Sequence, residues 1–226
     1  MNLGTLYIVA TPIGNLADIT LRALETLKKV DLIAAEDTRL TTRLLSRYEI
    51  KKPLISYHQH SRLSKIDEII WELKNGKQVA LVSDAGTPGI ADPGASLILK
   101  ALENKIEIIP IPGAQAAVTA LSVSGFSESK FIFVGFLPKK KGRQTLLTQL
   151  SEMVFEGVLI FYESPYRINK TLLDLQNYFG DIEVVVAREL TKIYESFYRG
   201  KISEVEKQIK AKGEFVICLK KAINAK

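Results

Sequence analysis

Short apolar runs alternate with segments of helical period through the first half of the chain. The runs "TLYIVA", "DLIAAE" and "QVALVSD" are almost wholly apolar, whereas "DITLRALETLKKV" repeats its apolar residues every three or four positions. Continuous apolar runs are typical of strands buried on both faces, as in parallel sheets covered by helices. The alternation therefore predicts an α/β fold whose first sheet is mostly parallel and has about five strands.

A second series of strands follows a break at "GFLPKKKGRQ", where glycine and proline surround a basic run. We predict strands at "GVLIFYE", "IEVVVARE", "KIYESFYRG" and "EFVICLKK". Because these segments alternate more and contain more aromatic residues, they favour a mixed second sheet. The expected organisation is an N-terminal α/β domain, residues 1–113, and a C-terminal α/β domain, residues 114–226, with the boundary somewhere between Ile111 and Pro138.

Charge and cysteine content narrow the functional classes. The formal net charge is +6 and lies mainly in the second half, which suggests a polyanionic partner, although proteins without such a partner also carry this surplus. The single cysteine, Cys218, fits a reducing compartment and is more simply interpreted as a small buried residue than as a reactive thiol. No apolar run approaches the ~20 residues of a membrane span, and no secretory signal begins the sequence. We expect a cytoplasmic protein with no membrane segment.

Two glycine-containing turns follow predicted strands of the first domain: "ATPIGNLADIT" and "SDAGTPGIADPG". Turns at the carboxyl ends of strands line the ligand crevice of an open α/β sheet, and glycine lets the backbone approach a ligand closely. Neither turn has a dinucleotide or phosphate-loop pattern, and the acidic second turn fits a ligand with a positive centre better than a phosphate. The alternative is a pair of ordinary strand-to-helix turns, with Asp92 before Pro93 starting a helix.

The segment "AAEDTR" places Glu36, Asp37, Thr38 and Arg39 where a strand ends and a helix begins. Asp37 or Thr38 could simply cap the helix, because short polar side chains often accept from its first N–H groups. Two carboxylates and an arginine at this edge could equally position a hydroxyl substrate or take part in proton transfer.

Three further polar clusters allow two interpretations each. In "YHQHS", His58 and His60 share one side of an extended chain, but no metal-binding motif joins them, so we favour a solvated or substrate-facing role and expect no metal site. The strand ends "FYESPYR" and "ARELTK" either face the crevice or pair internally, Glu163 with Arg167 and Arg188 with Glu189. The basic run is either a solvated linker or a phosphate-binding patch; it contains Lys139, Lys140, Lys141 and Arg143.

The order of these motifs is distinctive. The blocks "GTLYIVATPIGNLADITLRAL", "AEDTR", "SDAGTPGIADPG", "IPGAQAAVTAL", "FVGFLP", "FYESPYR", "ARELTK" and "GEFVI" together resemble the ribosomal small-subunit RNA methyltransferase I family. Members of this family are cytidine-2'-O-methyltransferases within the tetrapyrrole-methylase superfamily. The resemblance extends from Gly4 to about Ile217, which is nearly the whole chain.

This resemblance implies a two-domain class III methyltransferase fold, a homodimer, a 16S rRNA substrate in the small ribosomal subunit, and S-adenosylmethionine bound in the cleft between the domains. The residues that it implies for cofactor binding are Pro12, Asp84, Ala85, Gly86, Thr87, Ile90, Ala91, Asp92, Ala114, Gln115, Ala116, Phe161, Tyr162, Glu163, Ala187, Arg188, Glu189 and Leu190. The acidic turn "SDAGTPGIADPG" is compatible with this cofactor, because its sulfonium and ammonium groups are positively charged. The backbone amides of Gly86 and Gly89 could meet the carboxylate of the cofactor.

Methyl transfer to a ribose hydroxyl needs alignment in a dry site and a group that takes the hydroxyl proton. We hypothesise that Glu36 or Asp37 accepts or orients this proton, and that Arg39 holds a phosphate or its acidic neighbours. RNA binding is assigned to the basic run, to Tyr166 and to Arg167.

The chain departs from the family pattern at three places: "PGAQA" stands for "PGPSA", "IADPG" for "ISDPG", and "ESPYR" for "ESPHR". The first two changes keep the glycines. Because Tyr166 stands where the family has histidine, a histidine proton acceptor does not carry over; a tyrosine there could stack on a base instead. Two other functions remain open, a C-methyltransferase acting on a tetrapyrrole or corrin precursor and a non-catalytic RNA-binding assembly factor.

Overall fold

The chain folds into two compact units, Met1–Gln115 and Ala116–Lys226. The computed structural model describes residues 3–58, 63–126 and 130–221. The division between the units falls just after the predicted 113/114 boundary and inside the interval from 111 to 138.

The first unit is a parallel five-stranded sheet in the order β3-β2-β4-β1-β5. Its strands are β1 Thr5–Val9, β2 Leu32–Ala35, β3 Leu54–Ser56, β4 Val79–Val82 and β5 Glu107–Ile111. Its helices are α1 Leu21–Lys29, α2 Thr38–Arg47, α3 Leu63–Lys74 and α4 Ala95–Glu103, with a 3-10 turn at Leu16–Asp18. The predicted parallel sheet is confirmed.

Apolar helix faces cover both sides of this sheet. One core cluster packs sheet residues such as Leu6 and Leu81 against α3 and α4, and a second packs Val9 and Ile33 against α1 and α2. The segment "SRLSKIDEIIWELKNGK" predicts α3 with Ser61 as a possible cap and with an apolar stripe formed by Leu63, Ile66, Ile69, Ile70 and Leu73. The stripe is buried except for Leu63, which is 78% exposed, and Ser61 lies outside the described residues.

The second unit begins with helix α5 Ala116–Ser122, and its sheet has the order β6-β7-β10-β8-β9. The strands are β6 Phe131–Phe136, β7 Gly157–Glu163, β8 Glu183–Arg188, β9 Ser196–Lys201 and β10 Phe215–Lys221. The other helices are α6 Arg143–Glu152, α7 Ile168–Phe179 and α8 Ile202–Gln208. Because β6 and β7 are parallel and the remaining pairs are antiparallel, the predicted mixed sheet is confirmed.

Two elements of the second unit were not predicted from the sequence. The strand β6 and the helix α6 flank the basic run, and neither was predicted because this segment was interpreted as a break between domains. The strand expected over "KIYESFYRG" begins later, at Ser196. An apolar core joins the sheet to α6, α7 and α8 on one face.

Cys218 lies in β10 and is fully buried. Burial raises the pKa of its thiol to about 12, so the structure supports the interpretation as a small core residue. Within the described ranges, no helix is long and apolar enough to cross a bilayer.

Candidate active site

The loops that follow β1 and β4 are joined at the carboxyl edge of the first sheet. The Thr11 N–H donates to the Gly86 carbonyl at 2.8 Å, and the Gly86 N–H donates to the Thr11 carbonyl at 3.0 Å. The Thr11 hydroxyl also donates to the Ser83 carbonyl at 3.1 Å. Gly86 has a φ of +79°, a conformation that favours glycine and turns the chain toward the neighbouring loop.

Two more strand ends reach the same edge. Thr87 Oγ1 donates to the Ala114 carbonyl after β5 at 3.4 Å. The Asp37 N–H, after β2, donates to Asp84 Oδ1 at 2.8 Å. Four separate loops therefore meet at one edge, which is where open α/β sheets bind ligands.

One expectation for this edge requires correction. The Gly86 amide was expected to meet a cofactor carboxylate, but it is already bonded to the Thr11 carbonyl. The positive φ of Gly86 allows the turn after β4, and its N–H holds this loop against the loop after β1.

Three carboxylates lie close together at this edge: Glu36, Asp84 and Asp92. Burial, and then the charges of Glu36 and Asp84, raise the pKa of Asp92 to about 6, against a hydrogen bond from Ser83 that lowers it. Burial, followed by the charge of Asp84, also raises the pKa of Glu36, whose carboxylate accepts from the Asp84 N–H. The charge of His58 partly opposes the shift of Glu36, but the three carboxylates still repel one another, and a bound cation would relieve this repulsion.

Asp37 and Arg39 serve the local structure. Asp37 is the N-cap of α2, where its Oδ1 accepts from the Arg39 N–H at 2.8 Å, and it forms an ion pair with the Arg39 guanidinium at 2.6 Å. These bonds lower the pKa of Asp37 to about 2, so it is a poor proton acceptor at neutral pH. Of the two carboxylates proposed as bases, Glu36 is the better suited.

The first-unit residues assigned to the cofactor are partly accessible. Asp84, Ala85, Ile90 and Ala91 are exposed, and Thr87, Asp92, Ala114 and Gln115 are half-buried. Pro12 and Gly86 are buried. Ala91, which stands in place of the expected serine, has a φ of +61°, so this loop holds a non-glycine residue in a strained conformation.

The second-unit residues assigned to the cofactor are mostly unsuited to side-chain contact. The side chains of Phe161, Ala187 and Leu190 are buried in the core. Arg188 is buried and donates to the carbonyls of Lys212 and Tyr194. These four residues could meet a ligand only through their backbone.

Two acidic residues of this set are likewise engaged within the second unit. The Glu163 carboxylate forms an ion pair with Arg167 at 2.8 Å, as the alternative interpretation expected. Glu189 instead accepts from Lys192 and from the Glu214 N–H, so it does not pair with Arg188.

Tyr162 and Ala116 remain accessible in the second unit, and both are half-buried. The Tyr162 hydroxyl accepts from the Ala117 N–H at 3.2 Å. Its ring lies edge-on to Phe133 and Phe136, with centroid distances of 4.9 and 5.6 Å. Phe136 is 54% exposed, so this aromatic cluster has one open side.

The residues assigned to RNA fall into two groups. Lys139, Lys140, Lys141 and Tyr166 are exposed. Arg143 is not part of this surface: the residue is 6% exposed, and its guanidinium is bonded within the protein. Arg167 is largely buried and pairs with Glu163.

Several residues with structural roles at these edges were missed. Thr11 and Ser83 bridge the loops of the first unit, and Thr171 and Asp174 bind Arg143 in the second. Helical spacing could have revealed the last two, since Thr171 lies one turn after Arg167. In the described ranges no group of His, Cys, Asp or Glu could hold a metal ion, and His60 lies outside them.

Comparisons with known proteins agree with this geometry. The family profile of the Tetrapyrrole (Corrin/Porphyrin) Methylases matches residues 5–206. A protein named ribosomal RNA small subunit methyltransferase I from Thermotoga maritima is 50% identical over 220 residues, covering 96% of this chain and 98% of that protein. The protein of the same name from Bacillus subtilis is 48% identical over 229 residues, covering 99% of this chain and 77% of its own length.

Solved structures share the fold at low identity. A cobalt precorrin-4 methyltransferase superposes with a TM-score of 0.70 at 16% identity, covering 95% of this chain and 94% of that one. A diphthine synthase superposes with a TM-score of 0.73 at 14% identity, covering 98% and 92%. These likenesses concern the fold alone.

A parallel α/β unit with an acidic loop edge, followed by a mixed α/β unit, defines a class III methylase of the tetrapyrrole methylase type. The profile match spans most of the chain. With about half of its residues identical to such relatives over nearly its full length, the chain belongs to the ribosomal RNA small subunit methyltransferase I family.

Proposed function

We propose that the protein transfers a methyl group from S-adenosylmethionine to the ribose 2'-hydroxyl of a cytidine in 16S rRNA of the small ribosomal subunit. The observation that carries this proposal is the 50% identity to the Thermotoga maritima protein over 96% of the chain. We further infer that it works as a cytoplasmic homodimer, as expected from the family resemblance.

The donor set of the first unit fits this cofactor. S-adenosylmethionine, when bound, supplies an electrophilic methyl group on a positively charged sulfur, beside an ammonium group. Asp84 and Asp92 lie on the loop after β4 and Glu36 after β2, so their negative charge would stabilise such a cation. The Thr11–Gly86 bridge fixes the loops in advance, which lowers the ordering entropy lost on binding.

Glu36 is the residue that we assign to proton transfer. Its pKa is raised, chiefly by burial and then by the charge of Asp84, which makes it a stronger base than an ordinary carboxylate. The Asp84 N–H orients its carboxylate. The Arg39 side chain is exposed but paired with Asp37, so a contact with an RNA phosphate at the rim would have to share its guanidinium with that carboxylate.

Methylation of isolated small subunits with isotope-labelled S-adenosylmethionine tests the proposal. Subunits should come from cells that lack the protein, so that the target is unmodified, and nuclease digestion with mass spectrometry then locates the label. Label on a cytidine ribose supports the proposed reaction. Label only on an added tetrapyrrole substrate, or donor binding without any transfer, would contradict it.

A further inference from the structure

Two loops of the second unit are held together by a buried polar network. The strands β6 and β7 are parallel neighbours, so the loop after each leaves the sheet at the same edge. Arg167, in the loop after β7, donates from Nη1 to the Leu137 carbonyl in the loop after β6 at 2.8 Å. This bond joins the two loops directly.

Glu163 lies at the centre of the network, and its side chain has no exposed area. Its Oε2 accepts from the Thr171 hydroxyl at 2.7 Å, and its Oε1 accepts from the Ser164 N–H at 2.7 Å. The ion pair with Arg167 completes its contacts. A buried carboxylate with this many partners fixes the position of each of them.

Arg143 extends the network under the basic run. Its Nη2 donates to Thr171 Oγ1 at 2.8 Å, its Nε to Asp174 Oδ2 at 2.8 Å, and its Nη1 to the Pro138 carbonyl at 3.3 Å. Arg143 and Arg167 therefore donate to the carbonyls of Pro138 and Leu137, the two residues that precede Lys139. The run turns into α6 at Gly142, whose φ is +84°.

The outer surface of the same loops is charged and aromatic. Lys139, Lys140 and Lys141 are exposed and form no ion pair within the described part of the chain. Tyr166, between the network residues Glu163 and Arg167 in sequence, is 95% exposed. An exposed tyrosine on one loop and unpaired lysines on the loop joined to it are a combination that can bind single-stranded nucleic acid, by stacking on a base and contacting phosphates.

We propose that the loops after β6 and β7 form one binding surface for a single-stranded segment of the RNA substrate. Tyr166 stacks on a base and the three lysines contact phosphates. Five buried or half-buried residues position this surface without touching the RNA: Arg143, Glu163, Arg167, Thr171 and Asp174. This inference rests on the proposed function, because that function makes the polyanion an RNA.

A Thr171→Val variant of the full chain tests the positioning role. Valine keeps the shape of threonine and removes the hydroxyl that links Arg143 to Glu163, and Thr171→Ser restores the hydroxyl as the matched control. The probe is a 16-nucleotide single-stranded RNA, with its Kd measured over a range of salt concentrations. Each phosphate contact contributes about 0.7 to the slope of log Kd against log salt for single strands.

We expect Lys140→Ala to lower this slope by about 0.7, and Tyr166→Ala to weaken binding by about tenfold with little change of slope. Thr171→Val should weaken binding by at least about fivefold and lower the slope, because the lysines lose their alignment. Thr171→Ser should resemble the wild type. Asp174→Asn, a milder change at a partly exposed position, should give an intermediate result if Thr171→Val does not fold.

Wild-type affinity and slope for Thr171→Val and Asp174→Asn would overturn the inference. An equal loss of S-adenosylmethionine affinity would also overturn it, since this would indicate a general effect on folding. Binding of a heparin fragment with the same dependence on Tyr166 would exclude RNA stacking, because heparin has no bases. These binding measurements need no methyl transfer, so failure of the proposed function would show separately, as missing label in the methylation assay.

Discussion

Replacement of Asp92 by asparagine should stabilise the protein in a pH-dependent way. The ordinary pKa of an aspartate is 3.8, and burial beside Glu36 and Asp84 raises that of Asp92 to about 6. Because its pKa is higher in the folded than in the unfolded state, folding favours the protonated form. The stability contributed by this group is complete below pH 3.8 and is lost as the pH rises through about 6.

The magnitude follows from the two pKa values. At 1.36 kcal/mol per pH unit, the full difference corresponds to about 3 kcal/mol. Asp92 is half-buried, so solvent screening reduces this to about 1–2 kcal/mol. Asparagine is a neutral isostere of the protonated side chain and should retain this stability at every pH.

Thermal unfolding of the wild type and Asp92→Asn at pH 5 and pH 8 provides the assay. At pH 8 the variant should melt roughly 2–8 °C above the wild type. At pH 5 about half of that difference should remain, because the wild-type carboxyl is partly protonated there. Asp67→Asn on the exposed side of α3 is the control and should shift the midpoint at neither pH.

Two results would refute this reasoning. A lower midpoint for Asp92→Asn at both pH values would mean that the ionised carboxylate stabilises the apo fold. An increase of the same size at pH 5 and pH 8, or a matching one in Asp67→Asn, would mean that the gain does not come from the ionisation of Asp92.

Three further predictions concern other positions. Glu36→Gln should slow single-turnover methylation by about 100-fold and abolish the rise of the rate with pH through the Glu36 pKa, as expected for loss of a general base. The control Glu25→Gln, on the exposed face of α1, should change neither the rate nor its pH dependence, and an unchanged rate for Glu36→Gln would contradict its assignment as the base. Gly86→Ala and Gly125→Ala impose similar strain, at φ values of +79° and +77°, and each should lower the free energy of unfolding by about 1 kcal/mol in denaturant titrations. Only Gly86→Ala should weaken S-adenosylmethionine binding in calorimetry, and equal affinities of the two variants would show that the Gly86 turn does not contact the cofactor. Cys218 should resist a thiol reagent at pH 8 until the protein is unfolded, because it is buried and its pKa is about 12; fast labelling of the native protein would contradict this.

The parallel sheet could be predicted because its three central strands are buried on both faces and so contain continuous apolar runs. Its edge strand β5 contains Pro110, which is compatible with a strand only at an edge or a bulge. The strand β6 was harder to recognise. Its residues, "FIFVGF", are typical of a strand, but Gly135 interrupts them and the basic run follows closely, so the segment was interpreted as part of a break between domains.

The candidate site could be predicted in outline, since loops after parallel strands must meet at one edge. The cap at Asp37 and its pairing with Arg39 could also be expected, because these residues are only two positions apart. The approach of Glu36 to Asp92 could not, because only the fold brings these two residues together. Adjacent carboxylates thereby acquire opposite pKa shifts, and this difference distinguishes a base from a cap.

The same limit explains why Arg143 was assigned to RNA. Sequence shows the sign of a charge, whereas function depends on whether the charge is already neutralised by the fold. Arg143 continues a lysine run yet is bonded to Asp174 and Thr171. Moving it onto a phosphate would leave Asp174 without its ion pair, and the free energy lost would exceed the free energy gained from a surface phosphate contact. Lys139, Lys140 and Lys141 carry no such cost, and the carboxylates at the edge of the first sheet repel one another in the absence of a cation. In both units, the charges that the fold leaves unneutralised are therefore the ones available to a ligand of opposite sign.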